Sequence, residues 1–281
     1  FAFGRRISGE LRHILYCWRL LGTLRLLIVS GGGQLDDYWG GPMGHPYVLL
    51  KWTILARITG VPVIFLSVGV DRLEHRMSRF FIRIALRLAA YRSYRDAGSK
   101  TLLADMTFTR ADRVTPDLAF SFDPGFPRTF PDFVGPKDPL RVGVSPMAYM
   151  LKGNWPREND DVFHPYFESL VGLTTELLRL GHEVTLFATA DADNVVTAML
   201  FDKIRAILSV NQSSKIRRIQ VRTLRDLLPE MARLDFVVAS RLHGVILPHV
   251  CCLPVLAISY DRKVTSHMHT VGLDRNCIVI H

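Results

Sequence analysis

The sequence has 281 residues, and with 48% hydrophobic residues it can bury the core of one large domain or two ordinary ones. The net charge of +9 predicts anionic partners, but no nucleic-acid-binding motif accompanies it, so we expect no nucleic acid among them. No run reaches the roughly 18 apolar residues that a membrane span needs. The four cysteines lack metal-ligand spacing, so we expect a cytoplasmic protein with reduced thiols and no metal site.

Strands and helices alternate along the whole chain. In the first half, apolar runs predict strands at 24–30, 61–68, 91–95 and 114–120, and helical periodicity predicts helices at 1–23, 46–59 and 97–105. In the second half, the same patterns predict strands at 140–145, 183–189, 216–221, 236–239, 255–260 and 277–280. The helices predicted there lie at 161–180, 194–210, 224–234, 244–252 and 264–272.

This alternation is typical of parallel sheets with helices on both faces. Two such sheets facing a central cleft form a GT-B-like architecture. We therefore predict an N-terminal Rossmann-like domain over 1–120, a linker over 121–139 that contains five prolines, and a C-terminal Rossmann-like domain over 140–281. Because the chain lacks an initiator Met and opens like the interior of a longer protein, we interpret its N-terminal part as truncated.

Three glycines, Gly31, Gly32 and Gly33, follow the first predicted strand. They permit close approach of the backbone to a ligand, although a plain sharp turn explains them nearly as well. Neither a P-loop nor a dinucleotide-binding fingerprint follows.

Four arginines, Arg76, Arg79, Arg83 and Arg87, are spaced by three or four residues and share one face of a predicted helix. An ordinary solvated face is one explanation. The other is attraction to anionic lipid phosphates, which predicts peripheral contact with the inner face of the membrane.

Arg95 ends a predicted strand, directly before Asp96, a good N-cap for the next helix. In a parallel sheet, the guanidinium would enter the crevice at the carboxyl edge, beside the glycine turn. An arginine paired with a neighbouring carboxylate is an equally good interpretation of Arg95.

The stretch FVVASRLHGVILPH places Ser240, Arg241 and His243 at a strand-to-helix corner. Such corners line the ligand crevice of open α/β sheets, and the following helix presents N–H groups suited to an anion. Arg241 adds a rigid fork of donors, and His243 adds a group that exchanges a proton near neutral pH. A solvated arginine and a core histidine are the alternatives for either residue alone, but together they favour a site.

Lys263 lies near the start of a predicted helix, where a cation is unfavourable unless an anion offsets it. It is therefore a candidate ligand, with an ammonium extended into water as the alternative. Asp191 and Asp193 form a DxD pattern similar to that of metal-dependent glycosyl transfer, but we interpret it as a helix cap. His267 and His269 do not share a helix face, so we expect no metal pair.

Taken in order, these segments resemble the polysaccharide pyruvyl transferase family over roughly residues 26 to 273. The segments that carry the resemblance are SGGGQLDD, FLSVGV, YRSYRDAGS, VTPDLAFS, ASRLHGVILPHV and AISYDRKV. The resemblance implies a GT-B-like fold and transfer of pyruvyl from phosphoenolpyruvate to two sugar hydroxyls, which gives a cyclic ketal without a further cofactor. The acceptor of such enzymes is often a lipid-linked or cell-surface glycan precursor.

By motif, the resemblance assigns pyruvyl-donor contacts to Arg95, Arg241, His243 and Lys263. We hypothesise that His243 protonates the enol methylene, with Ser240 in the donor site. The glycine turn, together with Asp36 and Asp37, is expected near the acceptor. Two other functions fit the same sequence: a GT-B glycosyltransferase that uses a nucleotide sugar, and a non-catalytic module that binds a glycan or a lipid phosphate.

Overall fold

The computed structural model describes residues 2–38, 40–71, 73–105, 112–125, 139–155 and 158–280. The chain divides into two compact units, with unit 1 ending at Leu118 and unit 2 beginning at Ala119. Each unit contains a parallel sheet with helices, which confirms the predicted α/β class. Most of the predicted linker lies outside the described residues, so its boundaries stay a prediction.

Unit 1 has a four-stranded parallel sheet in the order β1-β2-β3-β4. Its strands are β1 (Leu27–Ser30), β2 (Val63–Val68), β3 (Tyr91–Tyr94) and β4 (Arg113–Val114). Its helices are α1 (Ala2–Leu21), α2 (His45–Ile58), α3 (Arg76–Leu88) and α4 (Ala97–Asp105). The chain steps across this sheet in one direction, and parallel crossovers are right-handed, so α2, α3 and α4 lie on the same face. Helix α1 packs against α2.

Unit 2 has a six-stranded parallel sheet in the order β10-β9-β8-β5-β6-β7. Its strands are β5 (Arg141–Ser145), β6 (Glu183–Leu186), β7 (Ile216–Arg218), β8 (Phe236–Ala239), β9 (Val255–Ser259) and β10 (Cys277–Val279). Its helices are α5 (Asp160–Arg179), α6 (Asn194–Ile207), α7 (Val210–Ser213), α8 (Leu224–Met231), α9 (Leu242–Val250) and α10 (Arg262–Thr270). The chain builds outward from β5 to β7 and then from β8 to β10 on the other side.

This doubly wound order places helices on both faces of the unit 2 sheet. Val237 and Ala239 of β8 pack in a core with α8, α9 and α10, whereas Val238 packs in a core with α5 and α6. Successive strand residues face opposite sides, so the continuous apolar run of β8 reflects burial on both faces.

Most predicted elements are present, and the main error concerns the predicted strand 114–120. The ladder ends at Val114, and Leu118–Ser121 forms a short 3-10 turn. Pro116 has no N–H to donate to a neighbouring strand, which is why the apolar run does not continue as one. The helix predicted at 244–252 begins earlier, at Leu242.

Candidate active site

The switch point of the unit 2 sheet lies between β5 and β8, where the strand order reverses. The Ser240 N–H, just beyond β8, donates to the Ser145 carbonyl at the end of β5, with an N–O distance of 3.1 Å. Open α/β sheets bind ligands outside the carboxyl ends of strands at such a point. The predicted corner of Ser240 and Arg241 therefore lies where the fold opens a crevice.

Helix α9 begins immediately at this corner, with Arg241 in the N-cap position. A Cβ on Gly244 would lie 3.2 Å from the Ala239 Cβ and 3.3 Å from the Ser145 Oγ. Glycine therefore lets α9 approach the strand ends closely. The first-turn N–H groups of a helix have no intrahelical partner, and they favour an anion in the crevice.

Arg241 forms a two-pronged ion pair with Asp193, which is fully buried. The Nη2 to Oδ1 distance is 2.7 Å, and Nε donates to Oδ2. Burial lowers the pKa of Arg241, but the hydrogen bonds and charge of Asp193 raise it, and the net pKa lies above its ordinary value. Two of the five guanidinium N–H groups are thus directed to Asp193, which leaves three for another acceptor.

The side chain of Asp193 has a different role from the helix cap that we predicted from the sequence. Asp193 occupies the N-cap position of α6, as predicted, but its side chain makes no cap hydrogen bond. Its carboxylate instead accepts from Arg241 and, at 3.0 Å, from the Ala148 N–H in the loop after β5. Among the residues that the structure describes, no group of three or more His, Cys, Asp or Glu side chains could hold a metal ion.

Ser240 lies behind the corner and is fully buried. Its Oγ is 2.7 Å from the Tyr166 hydroxyl, which accepts from the Met147 N–H at 2.9 Å. Burial raises the pKa of Tyr166 to about 12, so this phenol stays protonated. Tyr166 thus holds the Ser240 side chain in place at the corner, and the assignment of Ser240 to the donor site stays a prediction. Tyr166 was missed because its spacing in α5 resembles that of a core residue.

Lys263 follows β9, at the same carboxyl edge. Asp261 caps α10 by accepting from the Lys263 N–H at 3.0 Å. The Lys263 Nζ lies 3.7 Å from Asp261 Oδ2 and 5.2 Å from the centre of the Tyr260 ring. The ammonium therefore lies beside the Asp261 carboxylate and the Tyr260 ring, in contrast to the alternative in which it extends freely into water.

Arg241 follows β8 and Lys263 follows β9, and these neighbouring parallel strands end at the same edge of the sheet. Burial raises the pKa of Tyr260, and both Lys263 and Arg241 act in the opposite direction. His243, the second residue of α9, is exposed at the same helix end. Unit 2 thus assembles Arg241, Lys263 and His243 at one edge.

His267 and His269 differ in their partners, as their spacing predicts. The His267 Nε2 is 3.1 Å from the His249 Nδ1, whereas His269 pairs with Asp274.

Arg95 lies at the carboxyl edge of unit 1, where its N–H donates to the Val68 carbonyl at 3.2 Å. Its Nε is 3.5 Å from Asp96 Oδ2, and its Nη1 is 3.7 Å from Asp117 Oδ2. The interpretation of Arg95 as an arginine paired with a neighbouring carboxylate is confirmed. A Cβ on Gly69 would lie 2.5 Å from the Arg95 Cζ, so a side chain at this position would displace the guanidinium that passes over the glycine.

The glycine turn lies beside Gly69. Gly31 and Gly32 have φ values of 47° and 68°, a left-handed conformation that favours glycine. The Gly69 N–H donates to the Gly32 carbonyl at 2.7 Å, which joins the loops after β1 and β2. The turn is therefore required by the backbone, whether or not it also contacts a ligand.

Asp36 and Asp37 have different surroundings. The Asp37 carboxylate accepts from the N–H groups of Glu74 and His75, at 3.1 and 2.9 Å, at the start of α3. Burial raises the pKa of Asp37, but these hydrogen bonds lower it below its ordinary value. Asp36 Oδ2 lies 3.5 Å from the Nδ1 of His45, and the His45 side chain is half exposed. Asp37 therefore has a structural role, and Asp36 is the more accessible member of the pair.

The family model for polysaccharide pyruvyl transferase matches residues 5–262. The chain belongs to this family. No curated protein matches the chain significantly. The family match includes the glycine turn and Arg95 of unit 1 and Arg241 and His243 of unit 2, and it ends one residue before Lys263.

Solved structures with a similar fold are distant in sequence. UDP-GlcNAc 2-epimerase from Methanocaldococcus jannaschii has a TM-score of 0.58 and 11% identity, covering 95% of this chain and 69% of the other. The S. aureus MnaA-UDP structure has a TM-score of 0.56 and 11% identity, covering 96% and 70%. An E. coli trehalose-6-phosphate structure with bound UDP-2-fluoro glucose has a TM-score of 0.58 and 14% identity, covering 97% and 66%. At these identities the likeness shows the shared GT-B-like fold alone.

Proposed function

We propose that this pyruvyl transferase moves the pyruvyl group of phosphoenolpyruvate onto two hydroxyls of a sugar, forming a cyclic ketal and releasing phosphate. The observation that carries the proposal is the carboxyl edge of the unit 2 sheet, where Arg241 and the N-terminus of α9 follow β8, and Lys263 follows the neighbouring strand β9. Phosphoenolpyruvate has both a carboxylate and a phosphate, so its site needs several fixed donors of this kind.

The donor would lie against the start of α9. Its phosphate accepts from the first-turn N–H groups of α9 and from Lys263, and its carboxylate accepts from the three N–H groups that Arg241 does not direct to Asp193. Asp193 keeps the guanidinium plane in one orientation. Arg95 of unit 1 is proposed as a further contact of phosphoenolpyruvate. The proposed reaction needs no metal and no cofactor.

His243 is the proposed general acid. It donates a proton to the methylene carbon of phosphoenolpyruvate while an acceptor hydroxyl adds to the central carbon, and it takes the hydroxyl proton back. The second hydroxyl then displaces phosphate from that carbon, and its proton leaves with the phosphate. His243 is exposed in the first turn of α9, which leaves its imidazole accessible to both substrates.

The acceptor is proposed to be a sugar in a polysaccharide or lipid-linked precursor. The glycine turn of unit 1 and Asp36 are the proposed acceptor contacts, with the Asp36 carboxylate close to His45. The arginines of α3 are proposed to contact an anionic membrane, and the enzyme would meet a lipid-linked acceptor there.

A GT-B glycosyltransferase is the second candidate, favoured by the two similar structures that hold UDP or a UDP-sugar. The test is an assay of phosphate release from phosphoenolpyruvate with a panel of lipid-linked and nucleotide-linked sugars. Release that depends on one acceptor, with pyruvyl found on that acceptor, supports the proposal. Transfer of sugar from a nucleotide, with phosphoenolpyruvate untouched, would identify a glycosyltransferase instead.

A further inference from the structure

The outward surface of α1, α2 and α3 exposes large apolar side chains, and we call it the helical face. Its exposed apolar residues are Leu11, Leu15, Trp18, Ile54, Ile58, Met77 and Phe80. Ile58 is 60% exposed and Phe80 is 55% exposed, although each belongs to a helix that packs on the core through other residues. On each helix these residues are spaced by three or four and share one side. Several exposed apolar stripes on adjacent helices are uncommon on a surface that meets only water.

Arginines accompany these apolar residues. Arg19, Arg57, Arg76 and Arg87 are exposed, and among the residues that the structure describes no carboxylate forms an ion pair with them. Two of the four arginines of α3 contribute less to the positive charge of this surface. The Arg79 Nε donates to the Leu73 carbonyl, and Arg83 is half-buried.

Acidic residues lie elsewhere in this part of unit 1. Among those up to residue 95, Glu10 is the exception on α1, where it pairs with Lys51, and the others belong to loops that follow β1 and β2 at the carboxyl edge: Asp36, Asp37, Asp71 and Glu74. The helical face is therefore positive, and the carboxyl edge carries the negative charge. Such a separation orients a protein toward an anionic surface.

A cavity of ≈ 450 Å³ borders the helical face where α2 and α3 end. Arg57 and Arg87 line it from the two helices, together with Pro62 and Leu88. A lipid phosphate with part of its glycerol fits a cavity with two guanidinium groups and apolar walls.

We propose that the helical face docks on an anionic phospholipid membrane, with Trp18, Ile58 and Phe80 entering the interfacial region and Arg57, Arg76 and Arg87 contacting lipid phosphates. Basic residues that flank apolar and aromatic ones are characteristic of helices that lie in the membrane interface. A second copy of the chain is a poorer occupant, because symmetric pairing would bring the same arginines together. This proposal extends the peripheral membrane contact proposed above, and its test with vesicles does not depend on the reaction.

The test is co-sedimentation of the whole chain with vesicles of phosphatidylcholine alone and of phosphatidylcholine with phosphatidylglycerol in equal parts. We expect binding to the anionic vesicles only, weakened by added salt. The double variant Arg76→Gln/Arg87→Gln should bind roughly 30-fold more weakly, since each lost cation near the surface accounts for about a fivefold effect. Phe80→Ser should weaken binding about tenfold.

The matched controls change unit 2. Arg218→Gln/Arg225→Gln removes two exposed arginines there, and Leu180→Ser removes an apolar side chain that is 61% exposed. Both should bind like the original chain. Equal loss in these controls would mean binding by net charge alone, and unchanged binding of the helical-face variants would overturn the proposal. A mass increase with concentration that Phe80→Ser abolishes would identify a second copy as the occupant.

Discussion

Arg241 in unit 2 and Arg95 in unit 1 both follow a strand and both lie beside carboxylates, yet they are held differently. Arg241 makes a close two-pronged pair with a single, fully buried aspartate. Arg95 lies between two carboxylates at 3.5 and 3.7 Å and passes over a glycine. The first arrangement fixes a guanidinium plane, and the second holds a guanidinium through two longer ion pairs.

The two sheets explain the difference. In unit 2 the strand order reverses between β5 and β8, and this opens a crevice next to the start of α9. In unit 1 the chain moves across the sheet in one direction, and the loops after β1 and β2 bond to each other through Gly32 and Gly69. At its carboxyl edge unit 2 therefore has the N–H groups of a helix start, whereas unit 1 has a glycine turn.

The largest effect is expected from His243→Ala, which removes the proposed acid from the unit 2 edge. Turnover of phosphoenolpyruvate should fall by about 10² to 10⁴ because proton transfer contributes that much when one side chain supplies it. His269→Ala, which changes an exposed histidine of the same unit, is the control. Phosphate release and the thermal midpoint should both be measured. If turnover is unchanged while the fold is intact, His243 has no part in the reaction.

Asp193→Asn tests the pair that distinguishes Arg241 from Arg95. Loss of the carboxylate charge leaves a largely buried cation without compensation, so the free energy of unfolding should fall by about 3–5 kcal/mol. Asp191→Asn, on an exposed residue of the same turn, should change it by less than about 0.5 kcal/mol. Urea unfolding of both variants measures the difference. Similar losses in the two would mean that the Arg241 pair adds little.

Two glycine variants compare the two units directly. In Gly244→Ala the new methyl meets Ala239 and Ser145 at the rigid strand ends, so the free energy of unfolding should fall by about 1–3 kcal/mol. In Gly69→Ala it meets only the flexible end of Arg95, so stability should change little while Arg95 moves. Denaturant unfolding and the KM for phosphoenolpyruvate separate these outcomes. A larger stability loss in Gly69→Ala would reverse our view of the two arginines.

Features that depend on local pattern were predictable from the sequence. The run Phe236–Ala239 is a strand in the structure with the same bounds, because four apolar residues after a turn suit a strand buried on both faces. The corner with Arg241 followed from it. The cap at Asp96 was also predicted correctly, since its carboxylate accepts from the Ser99 N–H at 2.6 Å.

Features that depend on contacts between distant segments were not predictable. Asp193 lies 48 residues before Arg241, and a short polar residue before a helix has the same local pattern whether it caps the helix or holds an arginine. Gly69 and Arg95 come together only because β2 and β3 are neighbours. Periodicity describes which face a residue occupies, and it does not identify the residue opposite.

The smallest effect on stability is expected from Asp37→Asn in unit 1, in contrast to Asp193→Asn in unit 2. Asp37 is a carboxylate that accepts backbone N–H groups at the start of α3, and its pKa is lowered below the ordinary value of 3.8. A lowered pKa in the folded state contributes stability above that ordinary value, and the contribution is lost as the pH falls through the folded pKa. In Asp37→Asn, the loss of stability between neutral pH and pH values below 3.8 should therefore be smaller by about 1 kcal/mol. Asp36→Asn is the neighbouring control. Urea midpoints across this range decide the matter, and parallel acid profiles for the original chain and Asp37→Asn would show that the bonds to Glu74 and His75 do not stabilise the ionised form.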